Sequence, residues 1–252
     1  MKDKQTVLLV DISNGRTKFR MWHSGGIGEE LRVLPTHLVS LRSVLSCLRG
    51  WSFDFVLVSS VVPTVSDRFA SFFDVPVQFL KISAELPVDF SFYRGAATLG
   101  ADRIANVLGA TTYGFFPAVV IDLGTAVTFD VVTACNGDLP RFLGGAIAPG
   151  LSVFREYLPS RTALLPSIEW PAVKPAPIGV DTMAALSCGA FYGWRGMIRE
   201  ILNSICTELG EPPFVIATGG DAARTAELLP EVHAVDPYLT FKGMSLLLES
   251  ES

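Results

Sequence analysis

The chain has 252 residues, a formal net charge of −5 and 49% hydrophobic residues. This length and apolar content are enough to bury a large core and to form two medium-sized lobes. The acidic balance, without a run of Lys or Arg, argues against a nucleic-acid-binding protein. No stretch approaches the roughly 18 apolar residues of a membrane span, and Met1-Lys2-Asp3-Lys4 leads into a strand rather than a signal peptide. We therefore expect a globular, cytoplasmic protein that does not contact a membrane.

The cysteines and histidines form no recognisable pattern. The four cysteines lie far apart without CxxC spacing, at Cys47, Cys135, Cys188 and Cys206. Disulfide frameworks and zinc sites are therefore not expected. The histidines His23, His37 and His233 lack the spacing of a metal site or a triad. We expect buried reduced thiols and structural histidines.

The N-terminal stretch predicts an antiparallel meander. Apolar residues from Val7 to Asp11 indicate a buried strand, and further strands are expected at 17–22 and 29–34, joined by Gly-rich turns. An amphipathic segment at 38–48, a strand at 55–61, a helix at 67–73 and a strand at 75–80 follow. This alternation indicates a mixed sheet covered by helices on both faces.

A non-periodic loop at 83–99 leads to Gly100-Ala101-Asp102-Arg103, which opens a helix predicted to reach about Tyr113. Asp102 lies in the first helical turn, where the helix dipole favours a carboxylate, so we expect it to be ionised at neutral pH. A purely structural interpretation remains open. In that interpretation Asp102 stabilises the helix end and Arg103 lies on the solvent face.

Residues 118–132 predict a hairpin with a carboxylate at its mouth. An apolar strand ends at Asp122, the chain turns through Leu123-Gly124-Thr125-Ala126, and a second strand follows. Gly124 lets the backbone approach a ligand closely, and Thr125 offers an amide and a hydroxyl to phosphate oxygens. Asp122 suits a cation or its water shell beside those oxygens. An ordinary hairpin with a capped turn is the alternative.

The N-terminal hairpin repeats this pattern at a constant offset. VLLVDISNGRTKFRMW overlays AVVIDLGTAVTFDVV, which pairs Asp11 with Asp122, Ser13 with Gly124, Asn14 with Thr125 and Thr17 with Thr128. Two copies imply two related halves, which we place at 1–114 and 115–252. Duplication of such a unit around an Asp is how the actin, hexokinase and heat-shock chaperone ATPases resemble one another. This fold-level analogy supplies a nucleotide hypothesis but no substrate.

The remaining elements continue the alternation. We expect a strand at 142–148, a turn at Pro149-Gly150, a short helix and a proline-rich loop at 159–177. A long helix follows, which is capped by Asp181 or Thr182 and ends near Leu209. Small residues on that helix allow close approach of another helix, from a second subunit or from the same chain. After a strand at 214–217, the glycines of Thr218-Gly219-Gly220 leave room for a base or ribose, although a plain tight turn explains them equally well. Asp221 is expected to cap the next helix, and a strand at 232–235 and a helix at 238–249 end the chain.

The ordered motifs resemble those of the type III pantothenate kinases. The matching segments are Tyr93, Gly100 to Arg103, Asp122 to Ala126, Gly144 to Gly150, Gly189 to Trp194 and Thr218 to Ala222. The resemblance implies an α/β fold of two duplicated ribonuclease H-like lobes, with mixed sheets flanked by helices, as in the acetate and sugar kinase, chaperone ATPase and actin superfamily. It also implies a homodimer that phosphorylates pantothenate with ATP, the first step of coenzyme A synthesis.

The resemblance further implies roles for individual residues. Asp102 resembles the general base, and the pantothenate-binding positions are Tyr93, Gly100, Ala101, Asp102, Arg103 and Thr182. The ATP-binding positions are Asp11, Ile12, Ser13, Asn14, Gly15, Arg16, Thr17, Lys18 and Thr125. Asp11 and Asp122 would organise Mg²⁺ and its waters, and Asp122, the metal position, is also associated with a monovalent cation, K⁺ or NH₄⁺.

The first phosphate turn departs from the family pattern DxGNT, because this chain has Asp11-Ile12-Ser13-Asn14-Gly15. A serine is strained if its position needs positive φ, and Gly15 supplies no hydroxyl, for which Thr17 or Arg16 would have to compensate. Ala96 also stands where the family tends to have proline. Two alternatives therefore stay open: a catalytically weak member acting as a transcriptional accessory protein, and a kinase or phosphatase of the same superfamily acting on another small molecule.

Overall fold

The computed structural model describes residues 5–24, 26–135, 138–171 and 173–249, so the prediction for Met1-Lys2-Asp3-Lys4 lies outside the described residues. The strands are β1 Val7–Ile12, β2 Arg16–His23, β3 Gly26–Ile27, β4 Arg32–Pro35, β5 Phe55–Ser60, β6 Val77–Phe79, β7 Ala118–Leu123, β8 Ala126–Cys135, β9 Asp138–Pro149, β10 Phe214–Thr218 and β11 Ala234–Val235. The α-helices are α1 Leu41–Cys47, α2 Pro63–Phe69, α3 Ala101–Thr111, α4 Leu158–Arg161, α5 Thr182–Leu209, α6 Ala222–Ala226 and α7 Leu239–Glu249. Within the described ranges, none of these helices has the length and apolar character that a bilayer crossing requires.

The chain divides into two compact units. The first comprises Met1–Phe115, Val132–Leu143 and Tyr238–Ser252, and the second comprises Phe116–Val131 and Gly144–Pro237. Helix α7 belongs to the first unit because it packs along α3. Gly243 of α7 lies so close to the carbonyl oxygen of Ala105 that a Cβ would collide with it. The division into 1–114 and 115–252 stays a prediction about the duplicated halves.

The first sheet has the strand order β3-β2-β1-β5-β6, and β4 also pairs with β2. Strand β1 is antiparallel to β2 and parallel to β5. Because side chains alternate along a strand, Leu8, Val10 and Ile12 face a hydrophobic core shared with α1 and α2. The intervening residues, among them Asp11, therefore lie on the opposite face. Helix α3 packs against β5 of this sheet.

The second sheet has the order β11-β10-β7-β8-β9, in which β10 is parallel to both β7 and β11. The first strand of its hairpin, β7, corresponds to β1 of the first sheet: each strand has six residues, with an Asp in the fifth position. Each strand also has a hairpin partner on one side and a parallel strand on the other. The predicted fold class, mixed α/β with two related sheets and flanking helices, is confirmed.

Two local predictions were wrong in detail. The short helix expected at 67–73 begins earlier, at Pro63, because proline at the first helical position has a preset φ and no N–H to leave unpaired. Asp221 precedes α6 but its side chain makes no capping hydrogen bond. Its Oδ1 lies 3.7 Å from Nη1 of Arg224 instead, and its backbone N–H donates to Leu123 O at 3.1 Å.

Candidate functional site

Asp11 is held in a polar environment at the carboxyl end of β1. Its residue is only 4% exposed, and Lys18, directly opposite on β2, places Nζ 3.5 Å from Asp11 Oδ2. This opposite charge offsets part of the cost of burying the carboxylate. On the other side, Ser59 of β5 lies at the same register as Asp11. Ile12 follows in the hydrophobic core.

The first turn, residues 12–16, is closed by hydroxyl groups. Both the backbone N–H and Oγ of Ser13 donate to Arg16 O, at 3.1 and 2.9 Å. Thr36 supports the turn from outside: its Oγ1 donates to Ser13 O at 2.7 Å, and its N–H donates to Gly15 O at 3.1 Å. Asn14, Gly15 and Arg16 are exposed at the tip.

The two departures from the family pattern introduce no strain into the first turn. Across the described residues, every positive φ belongs to a glycine, so Ser13 has an ordinary backbone conformation. Gly15 has a φ outside the left-handed region, and a Cβ there would meet nothing within 4 Å. Thr17 is fully buried, with Oγ1 3.1 Å from Thr36 Oγ1. Its hydroxyl therefore supports the turn and does not replace a hydroxyl at the tip.

Asp102 reaches the same end of the first sheet as Asp11. Gly100 precedes α3, and a Cβ at this glycine would lie 2.5 Å from Asp102 Oδ1 and 3.2 Å from Val61 Cγ1. Val61, just after β5, donates its N–H to Ile12 O at 3.1 Å. The first unit therefore brings the predicted general base close to the turn that follows Asp11, and a side chain at position 100 would displace the Asp102 carboxylate from this position.

Burial dominates the electrostatics of Asp102 and raises the pKa of its carboxyl group above the ordinary value. The backbone N–H of Arg103, which donates to Asp102 Oδ1 at 2.7 Å, and the positive charge of Arg103 act in the opposite direction but do not cancel the desolvation. From the sequence, the position of Asp102 at the helix end favoured its ionised form. In the structure, desolvation shifts the carboxyl group toward its protonated form. A carboxylate with a raised pKa is a better proton acceptor.

Arg103 lies in an aromatic environment, not on the solvent face, and its residue is 7% exposed. Its Cζ lies 5.9 Å from the centroid of the Tyr93 ring and 5.8 Å from that of Phe142. The two rings are themselves 5.3 Å apart. The structure thus brings the predicted substrate residues Tyr93 and Arg103 together, with Ala101 buried at the start of α3. Sequence reasoning missed Phe142, whose signal was an aromatic residue just before the Gly144-Gly145 pair.

The second turn, residues 123–126, follows Asp122 in the second unit and is packed by glycine. Asp122 is half-buried and lies at the register of Thr218 on the parallel strand β10. Gly219 comes next, with φ +93°, and a Cβ there would lie 2.5 Å from Asp122 Oδ1 and 2.7 Å from Leu123 N. Glycine is therefore required both by the backbone conformation and by the close approach.

Gly150 packs against the second turn from the end of β9. Its N–H donates to Thr125 O at 3.1 Å, and a Cβ on Gly150 would collide with the carbonyl oxygens of Thr125 and Gly124. Three separate glycine motifs of the sequence therefore meet around Asp122 and Thr125. Thr125 itself is exposed, so its amide and hydroxyl groups lie where a ligand could contact them.

Thr182 lies elsewhere in the second unit, as the first residue of α5. The Asp181 carboxylate caps this helix by accepting a hydrogen bond from Ala184 N–H at 2.7 Å. Thr182 lines an apolar groove of about 350 Å³ together with Phe154, Leu158, Leu165, Ala185, Leu186 and Gly189. Val180, just before Thr182 in sequence, is 92% exposed, and Leu164, next to the groove residue Leu165, is 89% exposed.

Each of the two turns, taken by itself, adjoins one carboxylate of the kind that Mg²⁺ uses beside a phosphate. Within the described residues, no group of three or more His, Cys, Asp or Glu side chains could hold a metal ion unaided. Mg²⁺ is commonly bound by one or two carboxylates, with phosphate oxygens and waters completing its octahedron. Asp11 and Asp122, each next to a turn with exposed backbone, are carboxylates of that kind.

Comparisons with known proteins agree with these motifs. The model of the type III pantothenate kinase family matches residues 7–204. A type III pantothenate kinase of Akkermansia muciniphila is 41% identical over 241 residues, covering 96% of this chain and 97% of that protein. Another, from Methylacidiphilum infernorum, is 36% identical over 252 residues, 96% of this chain and 88% of that protein.

Among solved structures, a Campylobacter jejuni protein named for the Baf family of transcriptional activators superposes with a TM-score of 0.64. The match covers 97% of this chain and 98% of that one, at 20% identity. At this identity the likeness concerns the fold alone.

Proposed function

Because this chain belongs to the type III pantothenate kinase family, we propose that it transfers the γ-phosphoryl group of ATP to the primary alcohol of pantothenate, in the cytoplasm, as the first step of coenzyme A synthesis. The observation that carries the proposal is Asp102: a half-buried carboxyl group at the start of α3 whose pKa is raised by desolvation, next to the buried guanidinium of Arg103. An acid and an anion-binding cation side by side suit an alcohol substrate that carries a carboxylate.

On the acceptor side, Asp102 takes the proton of the attacking hydroxyl. Phosphoryl transfer passes through a loose transition state that needs little early deprotonation, so orientation of the hydroxyl contributes as much as basicity. Arg103, held beside Tyr93 and Phe142, donates to pantothenate oxygens. The aromatic contacts limit the conformations of the guanidinium, which lowers the entropy lost when substrate binds.

On the phosphate side, the first turn and the strand residues beside it contribute the polar groups of Asp11, Asn14 and Lys18. Ile12, Ser13, Gly15, Arg16 and Thr17 form the surrounding backbone. The second turn contributes Asp122 and the amide and hydroxyl of Thr125. Mg²⁺ and a monovalent cation, when bound, supply the positive charge that stabilises the transferred group. The residues' task is to orient the phosphates, and the glycine packing around Asp122 supports a fixed geometry.

A homodimer is the assembly we propose, with Thr182 serving pantothenate near the interface. Contiguous exposed apolar surface on a small protein marks an interaction site. Here Leu164, Ile178 and Val180 are each at least 80% exposed, and they adjoin in sequence the residues that line the groove at the start of α5. Light scattering after gel filtration should give twice the monomer mass, and Val180→Asp should shift the population toward monomer. A wild-type monomer at micromolar concentration would contradict this assembly.

The decisive assay measures ADP release that depends on pantothenate, with Mg²⁺ and K⁺ present. We expect wild-type turnover and a loss of about 100-fold or more in kcat for Asp102→Asn, which keeps size and polarity but not basicity. Equal turnover by the variant, or none by the wild type, would reject the proposal. A panel of other small alcohols tests the substrate.

The regulatory alternative is not favoured, since the curated relatives are named as kinases, Asp102 and Arg103 are present, and the departures in the first turn introduce no backbone strain. Nucleotide binding without turnover on any alcohol of the panel would favour it.

A further inference from the structure

Ser59 carries a buried hydroxyl group that the roles assigned so far do not use. The residue is 0% exposed, and its Oγ has no hydrogen-bond partner among the residues that the structure describes. Buried hydroxyls almost always have a partner, because leaving one unpaired forfeits its hydration without compensation. The neighbouring Ser60 is different, since its Oγ accepts from Val62 N–H at 3.2 Å and bonds to Ser66 Oγ at 2.6 Å.

The position of Ser59 links it to Asp11. The two residues are partners in the register of the parallel strands β5 and β1, so their side chains lie on the same face. Val56 and Val58 belong to the hydrophobic core on the other face, which assigns Ser59 to the side of α3. Two residues further on, Val61 is the residue that Gly100 approaches, beside Asp102. Ser59 therefore lies beside Asp11, on the strand that leads to the residue approached by Gly100.

The second unit repeats the arrangement. Thr218 of β10 is the parallel register partner of Asp122 and is 2% exposed. Each of the two equivalent Asp residues thus has a buried residue with a hydroxyl group beside it. In both units this residue lies on the neighbouring parallel strand, not on the antiparallel hairpin partner. A hydroxyl that serves only packing has no reason to recur at this register, whereas a hydroxyl that serves the ligand of the Asp does.

We propose that Ser59 is a positioning residue for the Mg²⁺·nucleotide complex: its Oγ–H donates a hydrogen bond to a water of the Mg²⁺ shell beside Asp11. This inference rests on the proposed function, because it deepens the role of Asp11 in that site. The Ser59 hydroxyl orients the oxygen of this water, which the Asp11 carboxylate alone would otherwise hold. Partners outside the first coordination shell typically contribute about 10- to 100-fold to metal affinity.

The test compares Ser59→Ala with Ser60→Ala as a matched control. Titration calorimetry with a non-hydrolysable ATP analogue, with Mg²⁺ and with EDTA, gives the Mg²⁺-dependent part of the affinity, and thermal unfolding of the ligand-free protein reports the structural part. For Ser59→Ala we expect an unchanged or higher Tm and about a tenfold weaker Kd with Mg²⁺, but no change in EDTA. For Ser60→Ala we expect a lower Tm and an unchanged Mg²⁺ dependence.

Two results with the Ser59→Ala variant would overturn the inference. One is a Ser59→Ala variant whose Mg²⁺-dependent affinity equals that of the wild type. The other is a Tm loss as large as that of Ser60→Ala, which would show that Ser59 has a structural partner. A wild type that binds no Mg²⁺·nucleotide would overturn it as well. A wild type that binds the complex but does not phosphorylate pantothenate would reject the proposed function and leave the Ser59 result standing.

Discussion

The two Asp-bearing turns share one strand pattern but are held in shape by different contacts. The first turn is closed by hydroxyl groups of Ser13 and Thr36. The second is packed by backbone against backbone, through Gly150 and Gly219. A side chain at Gly15 would meet open space, so the first turn does not require glycine there, whereas the close packing of the second turn requires glycine at positions 150 and 219.

The acids that precede the two turns, Asp11 and Asp122, also differ in their surroundings. Asp11 is almost fully buried and lies beside Lys18, while Asp122 is half-buried and adjoins the glycine turn at Gly219. We expect Asp11 to act in a fixed position and Asp122 to be the acid that exchanges a monovalent cation with solvent.

Within the comparison of the two turns, the largest expected effect comes from exchanging Asp11 or Asp122 for its amide. Both Asp11→Asn and Asp122→Asn should lower kcat/KM by about 10- to 100-fold or more, because each removes a charge that holds the cation. The two variants should differ in their response to K⁺: rates measured from 0 to saturating KCl should rise for Asp11→Asn and stay flat for Asp122→Asn. The same K⁺ response in both would break the distinction.

Glycine replacement tests the packing difference directly. Gly150→Ala places a methyl group against the Thr125 and Gly124 carbonyls and should cost about 1–3 kcal/mol of unfolding free energy. Gly15→Ala, the matched change in the first turn, meets open space and should stay within about 0.5 kcal/mol of the wild type. Urea denaturation of both variants gives the comparison. A neutral Gly150→Ala would mean that the second turn is not held by this contact.

Thr36→Val removes the hydroxyl support of the first turn while keeping the shape of the side chain. Ser13 O loses its donor and Thr17 Oγ1 its partner, so we expect a loss of about 1 kcal/mol and a raised KM for ATP. As a control, Thr207→Val deletes an exposed hydroxyl that bonds within α5 and should change neither quantity appreciably. An unchanged KM for ATP in Thr36→Val would show that the turn keeps its geometry without this hydrogen bond.

The sequence predicted those features of the fold and the site that depend on local residue patterns. Alternation and apolar runs placed β1, β2, β7 and β8, and the constant offset paired Asp11 with Asp122 at equivalent positions. The ordered glycine motifs indicated the family, and the structure explains their meeting around the second turn by close backbone contacts.

The sequence could not indicate contacts made across the fold. Thr36 reaches the first turn from another strand end, and Phe142 meets Arg103 only through tertiary packing. The raised pKa of Asp102 likewise depends on burial, which no local pattern reports. The expected cap by Asp221 failed because its backbone, with φ −100° and ψ 6°, lacks the extended conformation that Asp181 has at the start of α5, and its carboxylate lies 3.7 Å from Arg224 instead.

The smallest expected effect is on the folding stability of the protein, which the desolvated carboxylate of Asp102 lowers. Asp11 differs, because the charge of Lys18 offsets the charge of its carboxylate. Burial raises the folded-state pKa of Asp102 above its unfolded value, so the folded protein binds this proton more tightly. Below the unfolded pKa of about 4 both states are protonated and the side chain is neutral. As pH rises through the folded pKa, the wild type loses stability that Asp102→Asn keeps.

Asp102→Asn should therefore unfold at a Tm equal to the wild type near pH 4 and higher than the wild type at pH 7.5, although it is the least active variant. Thermal scans across this range measure the difference, and Asp67→Asn, on the exposed side of α2, controls for the loss of one negative charge. A Tm difference that is constant with pH would mean that desolvation does not act on Asp102. A difference that grows with pH identifies an acid kept for catalysis at a cost in stability, which is the property that separates Asp102 from the ion-paired Asp11 of the same unit.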